Sequence, residues 1–139
     1  MKKQKNYLLK DTIIILFIIL VFIAVILIIY SEIIKNNNIR TAKNNFFFVK
    51  EEILESINKC NVKLEERWTF GDLCSQAPEI ENITQYFNSI KKLINPHNNN
   101  YGVEEGPGSV LIRIDRDQFI LSIDIDANGG IDIQQKIYF

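Results

Sequence analysis

The sequence predicts an α+β fold in which one long N-terminal helix, membrane-spanning in its first half, packs on a small C-terminal antiparallel β-sheet. Three patterns carry that expectation. Residues 13 to 30 are all apolar or aromatic. Phe46, Val49, Ile53, Ile57 and Cys60 then recur at spacings of three and four, which places them on one helical face. From Ser109 onward the apolar period changes to two, the signature of half-buried strands.

Residues 1–11, "MKKQKNYLLKD", form a basic leader. The apolar run that follows reaches roughly 27 Å as a helix, close to the thickness of a hydrocarbon core. A transmembrane helix over 12–30 is the expectation, since each Ile, Leu, Phe or Val contributes about −0.3 to −0.6 kcal/mol to insertion and no charge opposes them. A cleavable secretory signal needs a shorter apolar region and small residues at its exit. Here the run contains only Ala24 and leaves through "IIYSEIIK".

Orientation follows from Lys2, Lys3, Lys5 and Lys10 before the span against Lys35, Arg40 and Lys43 after it. That bias favours a cytoplasmic N-terminus and a single pass of the inner membrane, with the C-terminal domain extracytoplasmic. Of the 16 basic residues four precede the span, and of the 17 acidic residues only Asp11 does. The remainder is therefore mildly acidic, without a basic stripe carrying interleaved aromatics, and is not expected to bind nucleic acid.

Beyond the span, residues 31–60 read as an amphipathic continuation of the helix. Its Asn-rich segment "KNNNIRTAKNN" is the place where such a helix would bend or melt, because Asn competes for backbone hydrogen bonds. Residues 61–108 form a variable middle with one helix over about 79–94, started at Pro78 and stopped at Pro96. Its expected apolar face is Ile80, Ile83, Tyr86, Phe87, Ile90 and Ile94. Trp68, in "RWTFGDLC", is expected to pack beneath a loop rather than to stack on a ligand.

Cys60 and Cys74 are the only cysteines and both fall on the extracytoplasmic side, so a disulfide is the simplest reading. Metal binding by the pair is the alternative, although the spacing is not Cys-x-x-Cys and the single His97 lies in a distant loop.

Residues 109–139 predict an antiparallel meander of three strands. Val110, Ile112 and Ile114 share a face in the first, Phe119, Leu121, Ile123 and Ile125 in the second, and Ile131, Ile133, Ile137 and Phe139 in the third. The Phe46 to Ile57 stripe is the expected partner of that face.

This order of parts resembles the type IV pilin and pseudopilin superfamily, with its short basic leader, apolar helix, amphipathic continuation, variable middle and C-terminal antiparallel sheet. In "NYLLKD", Asn6 stands at the place of the family's cleavage-site Gly, Tyr7 at the aromatic residue after the cut and Asp11 at the acidic assembly position. The resemblance implies processing between Asn6 and Tyr7 by a prepilin peptidase. It also implies Asp11 pairing with a neighbouring subunit's amine, and association with other pilin-like subunits in a filament on the surface or in the periplasm. An uncleaved single-span protein with a small ligand- or partner-binding ectodomain is the alternative.

The second chemical constellation is "DIDANGGID". Asp124, Asp126, Asn128 and Asp132 fall at positions one, three, five and nine of a calcium loop, with Gly129 at six. Position twelve, which needs a bidentate Glu, is Gln135. A hairpin turn around Asn128-Gly129 is the competing reading, with Asp124 and Asp126 on the solvent face. Some pseudopilins resemble this in holding calcium in a C-terminal loop, and Ca2+ is the only cofactor the sequence suggests. Catalysis finds no support: there is one His, no Gly-rich phosphate loop, and "EEGPGS" over 104–109 reads as a turn.

Overall fold

The computed structural model describes residues 2–63 and 66–139, with side chains from residue 11 onward. The chain divides between Asn36 and Asn37 into two compact units.

Helix α1 runs from Lys2 to Asn61, a stretch free of Gly and Pro. In the first unit every described side chain is exposed, and Ile13 to Tyr30 form an uninterrupted apolar surface. An all-round apolar helix of this length is suited to lipid, where every backbone N–H and C=O must be satisfied within the segment. It is long and apolar enough to cross a membrane.

The second unit begins where α1 becomes one-sided. Ala42, Phe46, Val49, Ile53 and Ile57 are buried, with Ile39 and Cys60 half-buried beside them. The Asn-rich segment expected to bend or melt stays helical throughout. A physical reason is visible at Asn45: its side-chain amide donates to the distant Ile94 carbonyl at 2.9 Å instead of competing for the helix's own carbonyls. A Glu55–Lys59 ion pair at 3.1 Å supports the last turns. The helix closes as Val62 N–H donates to Asn58 and Lys63 takes a left-handed φ of +55°.

The middle segment is pinned to the end of α1 by the Cys60–Cys74 disulfide, with Cα atoms 5.5 Å apart. Trp68 is buried, edge-on to Phe119 and Phe139, while its indole N–H donates to the Gln76 carbonyl at 2.9 Å. Helix α2 spans Ile80–Gln85 and passes directly into a π-helical turn, Tyr86–Ile90.

The expected helix over 79–94 is therefore shortened, and its apolar face is divided. Ile83, Tyr86 and Phe87 are buried, but Ile80, Ile90 and Ile94 are exposed. The wider π turn shifts the phase of every later residue, and Leu93 and Ile94 leave the helix to run beside Tyr101 and Gly102.

Strands β1 (Val110–Asp115), β2 (Gln118–Ile123) and β3 (Ile133–Tyr138) form an antiparallel meander in the order β1-β2-β3. The pairs Ile112↔Leu121 and Phe119↔Ile137 set the register. Val110, Ile112, Phe119, Leu121, Ile123, Ile125 and Ile137 join the α1 stripe in one buried cluster. Each such side chain contributes about 1.5–3 kcal/mol.

Two expectations for this region are corrected. Ile131 is exposed and precedes β3, because residues 124–132 form a loop rather than a tight turn. Asp124 does not face solvent from a strand; β2 ends at Ile123 and Asp124 is buried.

Candidate functional site

Three features bear on function: the apolar half of α1, the loop after β2, and the contacts that fasten that loop. Asp11 lies exposed on α1, immediately before Thr12 and the apolar run. The candidate cleavage pair, Asn6 and Tyr7, lies outside the residues whose side chains are described, as do Leu64 and Glu65.

The structure does bring Asp124, Asp126 and Asp132 together, with one carboxylate oxygen from each within 4.8 Å of the others. The loop folds this way because its side chains capture its own backbone donors. Asp124 accepts from Asn128 N–H at 3.1 Å and from Gly129 N–H through its other oxygen. Asp126 accepts from the Asn128 amide at 2.9 Å, and Asn128 Oδ1 accepts from Gly130 N–H at 2.9 Å. Asp132 accepts from Ile125 N–H at 2.7 Å while its own N–H donates to the Ile123 carbonyl. Ala127 and Gly129 supply the left-handed conformations that the reversal needs.

Three carboxylates this close suit a hard cation that takes oxygen ligands, and Asn128 could add a fourth. The fit is incomplete: calcium takes six to eight oxygens, and Gln135, at the position of the bidentate Glu, lies within β3. N–H donors already offset part of the mutual repulsion.

Behind this loop lies a network that the sequence reading did not single out. Asn95 is fully buried; its amide donates to the Pro107 carbonyl at 2.8 Å and to Ser109 Oγ at 2.9 Å, while Oδ1 accepts from His97 N–H. His97 Nε2 lies 2.8 Å from the Ile125 carbonyl, which only accepts, so Nε2 carries the proton. Gly108 N–H donates to the Asp124 carbonyl. The "NPHNNN" and "EEGPGS" segments, each legible only as a loop, therefore hold the 124–132 loop between them. No periodicity or motif links them, since the contacts run between loops 12 to 28 positions apart.

A charged cluster between α1 and the π-helical turn was also missed. Glu52 Oε2 accepts from the Tyr86 hydroxyl at 2.7 Å and Oε1 from Lys91 Nζ at 3.0 Å. Burial works to raise the Glu52 carboxyl, but the hydrogen bonds from Tyr86 and Lys91 outweigh it and hold the group below its ordinary range. Burial, aided by Glu52, pushes the Tyr86 phenol up, and the bond to Glu52 raises Lys91. Lys91 also lies over the rings of Phe48 and Tyr86. These groups join α1 to the π-helical turn, which suits fastening rather than chemistry.

Compared with family models, with curated proteins and with solved structures, the chain matches none.

Proposed function

We propose that the chain is a pilin-like structural subunit, major or minor, of a type IV pilus or a type II secretion pseudopilus, assembling through its apolar N-terminal helix. The observation that carries this reading is the change of character along one helix. From Ile13 to Tyr30 α1 is apolar on every side and exposed, whereas from Ala42 to Ile57 it buries a single stripe in a cluster with an antiparallel sheet. The first half suits lipid before assembly and other apolar helices after it, and the second fixes a folded domain to it. No catalytic role is proposed. The partners in this reading are the membrane, other pilin-like subunits and a prepilin peptidase, with no nucleic acid among them.

Asp11 is assigned the assembly role. A carboxylate at the edge of an apolar run is costly in lipid unless paired, and a neighbouring subunit's amine supplies the pair. Replacing Asp11→Ala should abolish filament incorporation and leave membrane insertion intact. Unchanged assembly would remove Asp11 from the role.

A second reading has its own support in the leader, where Asn6 replaces Gly and Lys10 adds a charge. It is an uncleaved single-span protein with an extracytoplasmic binding domain. Intact mass and N-terminal sequencing separate the two: the filament reading expects a chain beginning at Tyr7, the anchored reading one beginning at Met1.

A further inference from the structure

An aromatic ridge stands on the middle segment at Tyr101. Tyr101 is 61% exposed, yet the backbone beneath it is fastened on both sides. It pairs with Ile94 in an antiparallel bridge, and its carbonyl accepts from Ser109 Oγ at 3.0 Å. Gly102 donates to Leu93 and accepts from Val110. The Asn88 amide clamps Val103, donating to its carbonyl at 2.6 Å and accepting from its N–H at 3.0 Å. A side chain at residue 102 would bring its Cβ within 2.8 Å of the Leu93 backbone, so the two segments approach this closely only over glycine.

The ridge separates two hollows that share Asn88, Tyr101 and Glu104 as a common wall. One, of about 570 Å3, is lined further by Lys92, Ile94, Asn99 and Asn100. The other, of about 440 Å3, is lined further by Ile80, Glu81, Thr84 and Gln85. Both volumes lie in the range of small-ligand sites, about 300–1,000 Å3. The side chains of Lys92, Asn99, Asn100 and Glu104 make no hydrogen bond to the described residues, so their donors and acceptors are open to a ligand.

Charge decides what kind of ligand fits. One amine, Lys92, is set against two carboxylates, Glu81 and Glu104, which gives a phosphate or an acidic polymer no net attraction. What is offered instead is a flat aromatic face, aliphatic Ile80 and Ile94, and amide, hydroxyl and carboxylate groups around them. That combination matches a sugar ring, whose C–H face covers an aromatic plane while its hydroxyls both donate and accept. We infer that the groove astride Tyr101 binds a short, uncharged oligosaccharide, with the ring of Tyr101 as the stacking platform between two sugar units.

The experiment uses the full chain in detergent micelles, with maltotriose and chitotriose as neutral probes and sialyllactose as the charged control, read by saturation-transfer NMR and titration. At least one neutral probe should receive saturation, and Tyr101→Ala should weaken its binding by about tenfold or more, as truncation of a central aromatic contact does. Tyr101→Trp, which keeps a stacking face, should retain binding, and Tyr138→Ala, on β3, should bind as the parent does. Circular dichroism of the Tyr101→Ala protein guards against misfolding. Saturation of neither neutral probe, saturation of sialyllactose alone, or equal binding by Tyr101→Ala and the parent overturns the inference. Filament incorporation is scored separately on the same variants, so failure of the groove and failure of the pilin-like reading are distinguishable.

Discussion

The Tyr86 hydroxyl donates to Glu52 Oε2 at 2.7 Å, joining the first residue of the π-helical turn to α1 beside the buried Ile53 across 34 positions of sequence. Lys91 reaches the other oxygen of the same carboxylate from the far end of that turn. The pair therefore fixes how the turn lies on the helix while Ile83 and Phe87 pack beneath it.

This contact makes stability depend on acid. Glu52 sits below its ordinary value of 4.5 in the folded chain, so the unfolded chain binds more protons near that pH. Its contribution is fully present above 4.5 and is lost as pH falls through the lowered folded value. Tyr86→Phe should reduce stability at neutral pH by about 1–2 kcal/mol, the scale of a partly exposed hydrogen bond to a charged group. Glu52→Gln should flatten the fall in Tm as pH is taken down past 4.5. Thermal melts across a pH series check both, and an identical acid slope in Glu52→Gln would count against the assignment.

The Cys60–Cys74 bridge closes a loop of sequence separation 14 that contains Trp68 and Phe70, both buried. Closing a loop of about 15 residues is worth about 3 kcal/mol through the unfolded state. Reduction, or a Cys60→Ser and Cys74→Ser double variant, should lower stability by about that amount and loosen the Trp68 environment. Tryptophan fluorescence followed through a denaturant titration, with and without reductant, reads both effects together.

Gly108 is the most constrained glycine in the domain. Its φ is +80°, and a Cβ there would lie 2.6 Å from the His97 ring and 2.7 Å from Asn95 Oδ1. Asn95 is buried and bonded through each polar group it has, so it cannot yield without leaving donors and acceptors unpaired. Gly108→Ala should cost roughly 2–5 kcal/mol, combining backbone strain with overpacking. Gly129→Ala, at a φ of +93° and with a Cβ that would meet nothing within 4 Å, is the matched control for φ strain alone. Equal losses in the two variants would show that the Asn95–His97 contact is not what makes residue 108 intolerant.

How much of this was legible in the sequence follows from the range of each interaction. The span, the α1 stripe and the three strands are local periodicities, and Phe46, Ile53, Val110 and Leu121 lie where period alone places them. The disulfide followed from cysteine number and the expected extracytoplasmic placement of both cysteines. Three features were not legible, and each depends on a distant partner. The π turn rotates Ile90 outward because Tyr86 and Phe87 are both buried and Lys91 answers Glu52. The Asn-rich helix persists because Asn45 finds Ile94. At the acidic loop the spacing of Asp124, Asp126, Asn128 and Asp132 identified the cluster, but the burial of Asp124 depends on Gly108 and His97, which only the folded chain brings near it.

The 124–132 loop yields the last prediction, because two kinds of bond compete to explain its carboxylates. Asp124 already accepts from two backbone N–H groups, and Asp132 from a third. A loop held by its own donors keeps its shape when divalent cations are removed, so chelation with EDTA should leave the parent's Tm close to its starting value. Asp124→Ala should still lower stability by about 1–3 kcal/mol in EDTA, since it orphans the Gly129 N–H and leaves the Asn128 N–H only its longer bond to Asp126 Oδ1, in a partly buried setting. Calcium acts on top of this. Any stabilisation grows with the logarithm of free cation above its Kd, and a rise in Tm at millimolar calcium that Asp126→Ala removes assigns the cluster a bound ion. Asp126 is the informative position because it makes its bonds only to neighbouring Asn128 and fastens no other segment. A calcium-dependent rise that survives Asp126→Ala places the ion elsewhere, and an unchanged Tm leaves the three carboxylates as the frame of a long hairpin loop.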